Sequence, residues 1–419
     1  MNSHPDFLKA IALHREGKKA DAELLLRALR QAEPGNVEFV VQHGVLLSEM
    51  GQMEECAAAM LYAVGIQPLN SLCWHLLSFA FGMMGQPHRA IDAAERCLRL
   101  APDNPTARWN LAQNQLLLGN YEDGWENYEW GVAAKQRPVR TRQDPAKKLP
   151  IGGRFLLWPE QGLGDTLMML RFLPELHRRT KTDIFLEMPA ELYPIVSRNF
   201  PNVTVYCSPG DESLPYEVDA HCSLMSLPYL LQIDTPKEAA SAPYLTADPL
   251  RVKRWESELP DLLNVGICMK GRPTHPNDRM RSTTPDLWKE VLETKGVSWT
   301  ILDPELNANL TDFEETAALI SVLDLVITVD TAVAHLAGAM GKTAWVLLPF
   351  NADYRWGREM DCTPWYDSLE LFRCATLDRQ TPANSWGPVF ETVSDRLKTL
   401  ANTRAGGKKC PKGIPLKTT

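Results

Sequence analysis

Four glycines, Gly17, Gly51, Gly85 and Gly119, stand 34 residues apart, and Pro34, Pro68 and Pro102 keep the same interval. Two turn-forming series in one phase oblige the first third of the chain to be a tandem array of one small unit. The same frame repeats small residues at two places, Ala22, Cys56, Ala90 and Gly124 at one and Gly44, Ser78 and Ala112 at the other. Those are the positions where paired helices approach most closely. Within each unit, glycine separates the first helix from the second. Proline, lacking an N–H, stops the second before the next unit begins.

A 34-residue period with these marks is the tetratricopeptide signature, so residues 1–131 are expected to form an α-solenoid. Three units are complete and a fourth begins at Pro105. After Gly119 the run from Asn120 to Trp130 is unusually aromatic, and Pro138 falls off register, which ends the array. Trp125, Tyr128 and Trp130 are read as packing residues that cap or dock the last repeat, in preference to a peptide-binding role. The basic, proline-punctuated stretch from Lys135 to Lys148 has no helical period and is read as part of a linker over residues 132–150.

With 419 residues and 44% hydrophobic content the chain can fill several cores. Its 52 acidic and 44 basic residues leave a formal charge of -8, which argues against nucleic-acid or anionic-membrane binding through net field. No apolar run reaches the roughly 18 residues of a membrane helix, and the first residues lack a basic flank with an apolar core. The expectation is a cytoplasmic protein without a membrane span. Nine cysteines without repeated close pairs fit reduced thiols, with Cys56, Cys73 and Cys97 as small core residues. No His-x-x-x-His, Cys-x-x-Cys or Asp-x-Asp pattern suggests a metal, and Cys362, Cys374 and Cys410 are too spread to argue for one.

From Ile151 the pattern becomes short β-rich runs alternating with helices. Strands are expected at 154–158, 183–187 and 203–206, then at 264–269, 297–302 and 325–329, with helices near 165–178, 285–294 and 312–322. Alternation of this kind implies parallel sheets. Two series imply two doubly wound halves, residues 151–250 and 251–400, facing a cleft whose default ligand is a nucleotide. The tail 401–419, basic and aperiodic, is expected to be disordered.

Three constellations carry candidate chemistry. In Trp158-Pro-Glu-Gln-Gly-Leu-Gly-Asp165, Gly162 and Gly164 allow a sharp strand-to-helix turn. A carboxylate at the helix mouth suits either an N-cap or a general base for an attacking hydroxyl. The loop Lys270 to Ser282 packs four cations behind a strand end, with Lys270, Arg279 and Arg281 preferred for gripping a diphosphate over a merely solvated loop. In the strand–helix–strand unit from Asp324 to Pro349, Asp330 and Thr331 suit sugar hydroxyls and the following N–H groups suit phosphate. A histidine one turn into that helix, His335, is by itself more often a core or capping residue than a catalyst.

The segments Gln161-Gly-Leu-Gly-Asp165, Val329-Asp-Thr-Ala-Val-Ala-His335 and Pro364-Trp-Tyr-Asp-Ser-Leu-Glu-Leu-Phe-Arg373 resemble, in that order, bacterial tetratricopeptide-repeat proteins with a family 9-type glycosyltransferase domain. These are relatives of the ADP-heptose heptosyltransferases, with the GT-B fold and a more distant likeness to O-GlcNAc transferase. The resemblance spans essentially the whole chain. It implies a GT-B pair of Rossmann-like domains, acceptor-side then donor-side, after the α-solenoid. It also implies an inverting, metal-independent, cofactor-free transfer from a nucleotide-diphosphate sugar, with Asp165 as base. Asp330, Thr331 and His335 map onto the family's donor motif and Lys270 onto its phosphate-holding loop. The motif's glycine is Ala332 here, whose methyl group crowds a sugar phosphate lying on the backbone, so the donor is left open. The acceptor could be a protein Ser or Thr presented by the repeats, or a glycan such as lipopolysaccharide. The rival from another class is a repeat scaffold whose transferase-like half binds a nucleotide sugar without turnover.

Overall fold

The computed structural model describes residues 4–140, 145–207, 217–239, 243–274, 278–358, 362–376 and 382–405. The chain divides into two compact units, Met1–Pro138 and Val139–Thr419.

The first unit is four antiparallel helix pairs: α1 (Pro5–Arg15) with α2 (Lys19–Ala32), α3 (Val37–Glu49) with α4 (Met53–Ile66), α5 (Ser71–Met83) with α6 (Pro87–Leu100), and α7 (Pro105–Leu117) with α8 (Tyr121–Tyr128). The four phased glycines turn each pair at φ of +79°, +76°, +68° and +82°. Each is followed by the same capping bond, from the N–H of Lys18, Gln52, Gln86 and Asn120 to the carbonyl five residues earlier, at 2.9 Å every time. That 6→1 bond needs a left-handed residue before the donor, which only glycine supplies without strain. The second helices of the first three pairs end two residues before Pro34, Pro68 and Pro102. The phased small residues are buried: Ala22, Cys56, Ala90, Ser78 and Ala112 are fully inaccessible, and a Cβ on Gly124 would meet Leu116 Cδ2 at 2.7 Å. The fourth pair, whose start alone was legible at Pro105, is completed by an α8 of 8 residues against 14 in its counterparts.

The aromatic run closes the array by packing. Tyr128 is inaccessible, with its ring 4.9 Å from Trp109 and 5.4 Å from Trp125, and the Arg137 guanidinium stands 4.7 Å from its centroid. Arg137, read as linker, is thus a buried member of the first unit. Among the described residues of the expected linker, those up to Pro138 belong to the first unit. Beyond Pro138, Arg140 pairs with the buried Glu187 at 3.0 Å and Ala146 N–H donates to the His221 carbonyl at 2.8 Å, so the chain joins the second unit at once.

The second unit holds two all-parallel sheets. The first contains β1 (Arg154–Trp158), β2 (Asp183–Met188), β3 (Thr204–Cys207) and β4 (Ala220–Ser223), in the order β3-β2-β1-β4. Its helices are α9 (Leu163–Met169), α10 (Leu173–Arg179), α11 (Tyr193–Asn199), α12 (Leu227–Leu230) and α13 (Pro236–Ala239). The expected single helix 165–178 is broken into α9, a 3₁₀ turn and α10, with Pro174 in the first turn of α10. The second sheet is β5 (Leu263–Cys268), β6 (Val297–Ile301), β7 (Leu325–Val329), β8 (Ala344–Leu348) and β9 (Leu369–Arg373), ordered β6-β5-β7-β8-β9. With it go α14 (Pro249–Glu258), α15 (Asp278–Arg281), α16 (Pro285–Leu292), α17 (Phe313–Val322), α18 (Ala332–Ala339) and α19 (Pro382–Ala405). Strands β5, β7 and β8 are buried along their whole length, the mark of central strands in a parallel sheet covered on both faces.

Two boundaries read from sequence move. Helix α14 runs across the 250/251 division between the halves. Helix α19 carries order to Ala405, into the segment read as tail, because Trp386, Phe390, Val393 and Leu397 pack with Trp288 and Trp345 in the core of the second sheet. The rest of that tail, with Cys410, lies outside the described residues.

Candidate active site

In the first sheet the strand order reverses between β1 and β4, and in the second between β5 and β7. Loops leaving the carboxyl ends of neighbouring strands diverge at such switch points and leave a crevice there. The turn bearing Asp165 leaves β1, the basic loop leaves β5, and Asp330-Thr331 leaves β7. All three constellations therefore sit at switch points.

Asp165 is the third residue of α9, not its cap. Its Oδ2 reaches back to accept the Gly162 N–H at 3.0 Å, which closes the first turn of the helix. Its Oδ1 faces Arg355 Nε at 2.5 Å, an ion pair in which the two side chains are 18% and 11% exposed. Arg355 belongs to a 3₁₀ turn, Tyr354–Trp356, beyond β8. The same guanidinium donates to Gln161 Oε1 at 2.6 Å and to Asp353.

Gly164 is where the two halves touch. A Cβ there would stand 2.7 Å from His335 Cδ2 and 3.3 Å from Ala332 Cα, so α9 rests directly on the first turn of α18. His335 is buried, with Nδ1 3.1 Å from Tyr366 Oη and its ring stacked on Trp356 at 5.0 Å. Burial, then the nearby Arg355 charge, push its pKa down to about 3, so the imidazole is neutral. The contact continues into Arg171 of the first half. It is 1% exposed, bonded to the Trp365 carbonyl at 2.6 Å and set among the rings of Tyr244, Trp365 and Tyr366. The Trp365-Tyr366 motif is thus part of the packing that joins the halves.

Asp330 is half-buried. Its carboxyl is pushed up to about 6 by burial and then by the neighbouring Asp353. Arg281 Nη1 donates to the Asp330 carbonyl at 2.8 Å and so ties the basic loop to the end of β7. Thr331 Oγ1 lies 3.0 Å from Thr328 Oγ1. A side chain on Gly271 would meet Arg281 and Asp278 within 2.8 Å, which fixes the loop's entry.

The structure thus brings Gly162, Gly164, Asp165, Ala332 and His335 together, and joins Arg281 to the Asp330 carbonyl. Lys270 instead points to Glu305 at 3.4 Å and Asp303 at 3.8 Å, and Arg279 is exposed on α15. His275 to Asn277 lie outside the described residues. Among the described residues no three His, Cys, Asp or Glu side chains converge as a metal site. A hollow of 450 Å³ against α14 and α17, lined by Arg254, Trp255, Glu258 and Glu315 among others, shares no residue with this cluster. Of its lining charges, Glu315 is paired with Arg254, and also with Arg251 from outside the hollow.

Sequence reasoning missed Arg355 and Asp353. Their only signal was a charged pair, Asp353-Tyr-Arg355, shortly after an apolar strand, the same signal that marked Asp330.

The pattern of glycosyltransferase family 9 (heptosyltransferase) matches residues 304–347, from the loop after β6 through α17, β7 and α18 into β8. The FlbA protein of Caulobacter vibrioides is 26% identical over 461 aligned positions, covering 89% of this chain and 74% of that protein. The chain thus carries a 34-residue repeat of helix pairs in its first unit and, over residues 304–347, the pattern of glycosyltransferase family 9 in its second. An N-terminal acetyltransferase A complex subunit-like protein of Schizosaccharomyces pombe is 20% identical over 122 positions, which cover 29% of this chain and 18% of that one. Among solved structures, a MamA crystal structure is 21% identical over 30% of this chain and 69% of its own, with a TM-score of 0.29. MamA from Desulfovibrio magneticus RS-1 is 17% identical over 32% and 73%, with a TM-score of 0.28. Those scores carry no argument about this fold. The matched segment holds Asp330, Thr331, Ala332 and His335. Asp165 and Arg355 lie outside it. None of the helices among the described residues is long and apolar enough to cross a membrane.

Proposed function

We propose that the second unit is an inverting, metal-independent glycosyltransferase that moves a sugar from a nucleotide diphosphate to a hydroxyl acceptor. The observation that carries this reading is the position of Asp165, a part-exposed carboxylate at the β1 switch point, against a helix whose first turn follows Asp330 and Thr331. In the proposed reaction an acceptor hydroxyl attacks the anomeric carbon from the face opposite the diphosphate. Its proton passes to Asp165, the new C–O bond forms, and the bond to the diphosphate oxygen breaks with its electrons leaving on the nucleotide. N–H groups at the start of α18 and the Arg281 loop offset the negative charge of the departing diphosphate. The repeats recruit the acceptor, for which a protein Ser or Thr is the leading candidate and a glycan the alternative. The reaction needs no cofactor beyond the sugar nucleotide.

Asp165 has both oxygens engaged and Lys270 is turned to acidic neighbours, which favours one rival: a scaffold that holds a sugar nucleotide without turning it over. Incubating the full chain with a panel of nucleotide sugars separates the two. Free nucleoside diphosphate should appear with one of them, and Asp165→Asn should lower that rate by about 10³-fold while sparing donor binding. Tight binding with no release from any donor would establish the scaffold reading instead.

A further inference from the structure

Arg355 reaches across from the second half to the first and touches the proposed base more closely than any sugar-binding candidate does. Its Nε stands 2.5 Å from Asp165 Oδ1, Nη2 donates to Gln161 Oε1 at 2.6 Å, and Nη1 donates to Asp353. The backbone behind it is held as firmly. The Arg355 N–H donates to Asp353 Oδ1 at 3.1 Å, its carbonyl accepts from Thr363 Oγ1 at 3.2 Å, and the next residue, Trp356, is inaccessible and stacked on His335. A guanidinium is a rigid planar fork, so three fixed partners leave it one orientation.

Asp165 depends on that orientation. Its Oδ2 is held by the Gly162 N–H, which is local to α9, while Oδ1 is held from the other half of the domain. Each carboxylate oxygen has two lone-pair directions. The ion pair with Arg355 holds Oδ1 by charge and not by an aligned Nε–H bond, so the lone pairs of Oδ1 stay open to an acceptor hydroxyl while the carboxylate is kept in place. Without Arg355 the carboxylate would turn about its last torsion, and misplacement of a reacting group by about 1 Å costs on the order of 10²-fold in rate.

We propose that Arg355 is the positioning residue for Asp165, fixing the carboxylate from the donor half so that the base is aimed only when both halves are packed together. The proposal rests on the transferase reading above. It assigns Arg355 no contact with the sugar nucleotide, and so it predicts an effect on kcat and not on donor KM.

The test uses the full chain with whichever sugar nucleotide the wild type turns over. Arg355→Ala should lower kcat by about 10²-fold with donor KM within about twofold, and added guanidinium at millimolar concentration should restore part of the rate. Arg355→Lys should recover little, because a point charge lacks the fork. Gln161→Ala, at an exposed position, probes the same fork from its far end if Arg355→Ala does not fold, and should lower kcat several-fold without moving KM. Unchanged kcat in the folded variants overturns the proposal. So does a raised KM with kcat retained, which would make Arg355 a donor ligand. A wild type that turns over no donor overturns the transferase reading and the proposal with it, whereas an active wild type with active Arg355→Ala overturns the proposal alone.

Discussion

Gly51 and Gly164 are both glycines that the fold requires, for opposite reasons. Gly51 turns a helix pair at φ +76° with nothing within 4 Å of where a side chain would go. Gly164 has no left-handed backbone, yet its side-chain position is filled by His335 from a helix about 170 residues later in the chain. The repeat array is built from constraints that each residue's neighbours in sequence can state. The second unit is built from approaches that only the finished packing can state. A turn glycine therefore tolerates bulk but not a normal φ, while a packing glycine tolerates φ but not bulk.

The largest expected effect follows from that contrast. Gly164→Leu should destabilise the second unit by about 3 kcal/mol, the upper range for overpacking, and remove turnover by displacing Asp165. Urea unfolding together with diphosphate release measures both. Gly164 variants with full activity would show that α9 and α18 are free to part.

Acid should bear on the core of the second unit next. His335 is neutral with a folded pKa of about 3, below its ordinary value near 6.5. The stability it confers is complete above pH 6.5 and is lost as pH falls toward 3. Between pH 6.5 and 5 that loss is about 2 kcal/mol, since one pKa unit is worth about 1.4 kcal/mol. His335→Gln should flatten this part of the slope, read from unfolding at several pH values. Asp330 acts in the opposite sense. Its raised value of about 6 confers stability below pH 4 that disappears as pH rises through 6, so Asp330→Asn should gain stability at pH 7.

Smaller effects belong to the array. Gly51→Ala should cost about 1 kcal/mol from its left-handed backbone alone and leave turnover on a small acceptor untouched. Asn104→Ala removes a cap whose side chain accepts the Ala107 N–H at 3.0 Å, and should cost about 0.5–1 kcal/mol in thermal unfolding. If either changed donor turnover as strongly as Gly164→Leu, the division of labour drawn here would fail.

Much of this was legible before any coordinates. The phased glycines and prolines gave the array its helix pairs because each turn is decided within six residues. The buried runs at Leu325–Val329 and Asn264–Cys268 marked central strands because continuous apolar character has few other uses at that length. The polar residues following them marked Asp330 and the basic loop. What stayed hidden was strongly non-local. The last turn of α19, residues 401–405, looked like tail because Ala401 has meaning only against the core of the second sheet. The pairing of Lys270 with Asp303 and Glu305 was not visible either, because those partners lie more than thirty residues later.

The sequence by itself determined the repeat, the parallel α/β character and the polar strand ends, since these depend on periodicity and on backbone hydrogen bonding over short spans. Only the tertiary structure decided the strand orders that bring the ends of β1, β5 and β7 to switch points, and the pairing of Asp165 with a guanidinium 190 residues later in the chain. Strand order is fixed by which faces bury one another, and no local preference encodes that choice.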